Sequence, residues 1–251
     1  MSMTEIQIPS SYDGTLQPSL LYLSDSPEKR PLLVGLHTWS YDRFNQVGDL
    51  LPFAKELDFN LILPEFRGPN LTTNPSPTMA CASEAAMRDI RDAVEYVLAQ
   101  GWADPDHVFL YGASGGGHMA LMMAGYCPDL FEAIASFVPI TDLEAWAGQN
   151  PYYTPHILAC TESDPAEMAK RSPMSYLEGI ARANVKIFHG KYDPSVPFTH
   201  SVNLFNAILA QNPTARVFLD IFDGGHDTDL HKTKCWFDSQ YHHTNETAVS
   251  G

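Results

Sequence analysis

The chain has 251 residues, of which 44% are hydrophobic and 18% charged, enough apolar material for a full core and too much for a disordered polymer. With 30 acidic residues against 15 basic ones, its formal charge is −15. Such a surface repels phosphate backbones and anionic lipid, so neither nucleic acid nor a membrane is an expected partner.

No run reaches about 18 apolar residues, so no membrane-spanning helix is expected. The start, Met1-Ser2-Met3-Thr4-Glu5-Ile6, has no basic or apolar leader, and a cytoplasmic location is expected. Cys81, Cys127, Cys160 and Cys235 are scattered, with no Cys-x-x-Cys pair. They read as free thiols rather than as a disulfide framework or a zinc site. Cys81 or Cys160 as a nucleophile has no motif behind it.

In chain order, residues 4–8 and 17–23 read as two short strands around the turn Tyr12-Asp13-Gly14, a hairpin before the main body. Residues 31–37 and 60–63 are short apolar runs of the kind buried on both sheet faces, with a helix possible at 44–57 between them. From Ser83 to Gln100, Met87, Ile90, Val94, Val97 and Leu98 recur at helical spacing, and Gly101 ends the run. A strand at 107–111, a helix at 118–125 and a strand at 133–138 follow. Two more strands fall at 185–189 and 216–222, around a helix at about 199–210.

This alternation predicts a doubly wound, mostly parallel α/β sheet. Residues 141–182, with Trp146, Tyr152, Tyr153 and several prolines, break the rhythm and read as a small helical cap. One domain over 1–241 is expected, with a flexible polar tail at 242–251 carrying His242 and His243.

The strongest motif is Gly112-Ala113-Ser114-Gly115-Gly116, between a predicted strand and a predicted helix. That is the context of a nucleophile elbow: a serine on a sharp, strained turn, exposed above the sheet edge and facing a helix N-terminus. It is not a phosphate loop, because no Gly-Lys-Ser/Thr ending follows. A serine alcohol needs a base. His226, in Asp223-Gly224-Gly225-His226 after the last strand, is best placed, with His37, His118, His189 and His231 as rivals. The acid should lie between nucleophile and base in the chain. Asp193, a few residues past the strand at 185–189, fits; Asp142 and Asp164 are weaker rivals. The oxyanion needs two aimed N–H donors. Gly115 supplies one, and the loop His37-Thr38-Trp39-Ser40 the other, with Trp39 the choice. Its indole is then expected at the mouth of the site, as an acyl or sugar wall, unless it simply packs.

The elbow Gly-Ala-Ser-Gly-Gly-Gly-His, the segment His189-Gly-Lys-Tyr-Asp-Pro-Ser-Val-Pro197 and the Gly-Gly-His segment resemble the α/β-hydrolase superfamily. They are most similar to the catalytic domain of the prolyl oligopeptidase group. Arg171-Ser-Pro-Met-Ser-Tyr176 and Pro64-Glu-Phe-Arg-Gly68 share that resemblance, which covers roughly residues 30–230. It implies an α/β-hydrolase fold, Ser114, Asp193 and His226 as triad, and Trp39 and Gly115 as oxyanion donors, with no metal or organic cofactor. Thr38 departs from the family's more permissive glycine, and the chain has no room for the group's substrate-screening β-propeller. The expectation is therefore a serine esterase acting through an acyl-enzyme on a small ester, including acyl groups on sugars or aromatic esters. A peptidase of the prolyl oligopeptidase type, taking a short peptide, is the alternative; Glu65 or Glu144 would then hold the substrate amine. A lactonase or thioesterase uses the same triad, and a non-catalytic binding protein uses the same fold.

Overall fold

The computed structural model describes residues 3–249, with side chains through Tyr241. Eight strands form one sheet in the order β1-β2-β4-β3-β5-β6-β7-β8. They are β1 (Thr4–Pro9), β2 (Leu16–Tyr22), β3 (Arg30–Leu36), β4 (Asn60–Pro64), β5 (Ala103–Ala113), β6 (Ala133–Phe137), β7 (Val185–Gly190) and β8 (Val217–Phe222). From β3 to β8 every pairing is parallel, while β1 and β2 are antiparallel. The N-terminal hairpin expected before the main body joins its sheet. β2 pairs with β4, so the hairpin becomes the edge of the sheet.

Helices cover both faces because the central strands are apolar on both sides. α2 (Glu84–Ala99), α3 (Gly115–Tyr126) and α8 (Thr199–Gln211) bury Ile90, Val94, Leu121, Leu204 and Ile208 on one face. α1 (Val47–Leu57) and α9 (Leu230–Val249) bury Leu50, Phe53, Trp236 and Phe237 on the other. Ser83 caps α2 by accepting the Ala86 N–H, and Gly101, at φ 72°, follows its end.

Helix α9 was not foreseen. Trp236 donates its indole N–H to the Ile134 carbonyl, and Phe237 packs on Phe109 at 4.9 Å. The backbone of 242–249 continues this helix where a tail was expected. The side chains of 242–249, and all of Ser250 and Gly251, lie outside the described residues. Between β6 and β7 the expected cap region contains α4 (Leu143–Gln149), α5 (Thr154–Thr161), α6 (Pro165–Lys170) and α7 (Leu177–Ile180). Under the first three lies a third apolar cluster with Trp39, Cys81, Ile140, Trp146 and Val196. No helix among the described residues is long and apolar enough to cross a membrane.

Candidate active site

Strand β5 runs into Ser114, which turns the chain sharply into α3. Its backbone sits at φ 55°, ψ −117°, a conformation costing a non-glycine residue about 1–3 kcal/mol. Its flanks hold it there: the Ser114 N–H donates to Phe137 O at 2.9 Å, and the His118 N–H to Ser114 O at 2.8 Å. A side chain at Gly112 would run into the Gly116 carbonyl, so only glycine lets the turn close this tightly. Ser114 occupies the N-cap position of α3, yet its hydroxyl makes no cap hydrogen bond. A serine there normally caps; this one leaves its oxygen uncommitted.

The two candidate oxyanion donors come together. A β-carbon on Gly115 would lie 2.5 Å from the Trp39 backbone nitrogen. Among the described residues neither N–H has a hydrogen-bond acceptor. Thr38, the departure from the family pattern, serves as an anchor: its N–H and hydroxyl each bond Asn45 Oδ1 at 3.0 Å. The Asn70 N–H donates to Trp39 O and fixes the Trp39 peptide from behind. His37 is buried, stacked on Phe66 at 3.8 Å and bonded to the Thr38 and Glu65 carbonyls. It braces this loop.

Asp193 and His226 also meet, with Asp193 Oδ2 accepting from His226 Nδ1 at 2.6 Å. The other oxygen, Oδ1, accepts the N–H groups of Ser195 and Val196. His189 Nε2 stands 3.3 Å from Oδ2, directing its proton between that oxygen and Val196 O. Burial by itself raises the Asp193 pKa. The hydrogen bonds from His189, His226 and Val196 outweigh it and hold the carboxyl well below the usual range. His189 thus supports the acid loop from below, a role the sequence signalled by its place at a strand end.

The base loop returns over the sheet rim. Tyr192 N–H donates to Gly224 O, and a side chain at Gly190 would strike the Gly225 carbonyl. No hydrogen bond joins the Ser114 hydroxyl to the His226 imidazole in this structure.

The rivals have other duties. His118 donates Nε2–H to Arg171 O at 2.6 Å, and burial lowers its pKa to about 4. Asp142 and Asp164 cap α4 and α6. His231 is exposed, 3.7 Å from Cys235 Sγ. Glu65 is tied to Arg43 at 2.8 Å, and Glu144 is exposed on α4. The Cys81 thiol is pushed well up by its hydrogen bond with Cys160 and by burial, which removes it as a nucleophile.

One expectation is corrected. The Trp39 indole is not at the mouth: it is 2% exposed, edge-on to Trp146 at 4.9 Å and to Tyr153 at 6.0 Å. Trp146 is equally buried and donates Nε1–H to Ser195 O. Of Trp146, Tyr152 and Tyr153, only Tyr152 is freely exposed, at 71%. The Trp39 indole N–H is itself buried and finds no partner among the described residues, at a cost of about 1–3 kcal/mol. Cavities of about 400 and 550 Å³ lie elsewhere and are lined by neither Ser114 nor His226.

Comparison with known proteins supplies the family. Residues 82–247 match the prolyl oligopeptidase family. The acylamino-acid-releasing enzyme of Rattus norvegicus is 26% identical over 224 residues, covering 82% of this chain and 30% of the rat protein. The inactive dipeptidyl peptidase 10 of Mus musculus is 27% identical over 142 residues, 56% of this chain and 17% of the mouse protein. A puromycin-hydrolyzing peptidase of Mycobacterium tuberculosis superposes with a TM-score of 0.73 at 20% identity, over 90% of this chain and 36% of that one. The chain thus spans about a third or less of each relative's length. A relative named inactive shows that kinship alone does not carry activity, so the residues must. On its matched length and its sheet topology, the chain belongs to the prolyl oligopeptidase family and has the α/β-hydrolase fold.

Proposed function

We propose that this protein is a serine hydrolase of peptidase type that removes short acyl groups through an acyl-enzyme, with Ser114, His226 and Asp193 as its triad. The observation that carries this reading is the 2.6 Å bond from His226 to the buried Asp193. Because Nδ1 donates to the acid, Nε2 keeps its lone pair and is the base. Ser114 Oγ attacks the substrate carbonyl and its proton passes to Nε2. Substrate binding closes the gap between hydroxyl and imidazole, as is common between free and loaded sites. The oxyanion falls between the N–H groups of Gly115 and Trp39, and the N-terminus of α3 adds its positive end. His226 then protonates the leaving group, and water repeats the sequence to release the acid.

The relatives favour an amide or peptide bond over the ester suggested by the sequence. Ester cleavage stands as the second reading, since the same acyl-enzyme serves it. One observation favours substrates whose amine is blocked or missing in either case: Glu65 is neutralised by Arg43, and Glu144 is exposed, so neither offers a buried anchor for a free amine.

A fluorophosphonate probe should label the protein once, and Ser114→Ala should abolish labelling. Among small substrates, p-nitroacetanilide and p-nitrophenyl acetate, which leave only an acetyl group on the serine, should be cleaved in preference to free-amine aminoacyl nitroanilides. Labelling that persists in Ser114→Ala would remove the proposed nucleophile.

A further inference from the structure

We propose that the Trp39 indole sets the size of the acyl group this site accepts, standing where a longer acyl chain would otherwise go. The inference rests on the acyl-enzyme reading above.

A tetrahedral carbon on Ser114 Oγ has three other substituents. Its oxyanion points to the Gly115 and Trp39 N–H groups, and its leaving group points to His226. The acyl substituent takes the remaining direction, away from the imidazole and against the oxyanion loop and the inserted helices. That wedge is filled. Trp39 stands against the elbow, its Cβ 2.9 Å from where a Gly115 side chain would begin. Its ring lies 6.3 Å from His118 on α3, 4.9 Å from Trp146 on α4 and 6.0 Å from Tyr153 before α5. Val196, from the loop of the acid, joins the same cluster. One residue therefore supplies a backbone donor to the reaction and, by its side chain, closes the space beside it.

The orphaned indole N–H is the second sign. Buried tryptophan N–H groups usually find partners, and this one has none among the described residues. Packing alone would be served better by phenylalanine, which brings no donor into an apolar cluster. The extra ring contributes volume, and volume is what a size limit requires.

The test uses the full chain with Trp39→Phe and Trp39→Ala. Trp39→Phe removes the unpaired donor and should fold at least as well as the parent, whereas Trp39→Ala leaves a cavity. Fluorophosphonate labelling at Ser114 first establishes that each variant retains a working nucleophile. The ratio of kcat/KM for p-nitrophenyl hexanoate to that for the acetate is then compared. It should rise by about tenfold in Trp39→Phe and further in Trp39→Ala. Labelled variants whose ratio stays within about twofold of the parent would overturn the size limit and leave the hydrolase reading standing. A parent that does not label at Ser114 would instead overturn the reading beneath it.

Discussion

The two walls of the candidate cleft are built by different means. The elbow and the oxyanion loop hold their atoms through the backbone: Ser114 N–H on Phe137 O, Asn70 N–H on Trp39 O, and Gly115 pressed against the Trp39 nitrogen. The inserted helices hold theirs through side chains: Trp146 on Trp39 and Tyr153, and its indole N–H on Ser195 O. A backbone device cannot be altered without a steric clash, whereas packed side chains can be exchanged. On the proposed reading, the chemistry falls to backbone atoms and the choice of substrate to side chains, and Trp39 supplies one of each.

Removing the charge that orients the base should give the largest effect. Asp193→Asn leaves the buried carboxylate's place filled but favours the wrong imidazole tautomer. Turnover of an acetyl ester should fall by about 10³–10⁴-fold with little change in KM. Activity within tenfold of the parent would show that the acid is not needed. Next, Gly112→Ala drives a methyl into the Gly116 carbonyl and should destabilise by about 3 kcal/mol or more, read as a lower urea midpoint. A harmless Gly112→Ala would break the claim that the elbow is fixed by its backbone.

The smallest effect, per pH unit, falls on the side-chain wall. His118 and His200 fasten the insertion to the body, His118 through Arg171 O and His200 through the Thr141 N–H and Gln149 Oε1. Burial lowers both pKa values from 6.5 to about 4. Between those values the unfolded chain binds protons that the folded chain refuses. The stability is therefore complete above about pH 6.5 and is lost as pH falls toward 4, by up to about 1.4 kcal/mol per pH unit for each histidine. Hydrogen exchange at pH 5 should quicken across residues 141–171 before it quickens at the elbow. Uniform loosening would erase the distinction between the walls.

The elbow was legible because close backbone approach demands glycine, and Gly112, Gly115, Gly116 and Gly117 stand openly in the sequence. Asp193 and His226 were legible from their places after strands. The sequence leaves the Trp39 indole open between the mouth and the core, because its burial depends on residues about a hundred positions away in the insertion. The helices of that insertion are only four to eight residues long, too short for periodicity to mark. Asp142 and Asp164 read in the sequence as rival acids, but their local role is to start α4 and α6. Helix α9 escaped notice because Trp236 and Phe237 stand among His231, Lys232 and Lys234, with no continuous apolar stripe to announce it.

The acid and base loops are stitched together three times: Tyr192 to Gly224, Gly190 against Gly225, and Asp193 to His226. The imidazole is therefore tied to the acid loop. On the proposed triad, bringing the hydroxyl to the imidazole as substrate binds falls to the single χ1 rotor of Ser114, whose hydroxyl no cap restrains. Such a rotor turns in picoseconds to nanoseconds, so on that reading this movement requires no slow rearrangement of the chain.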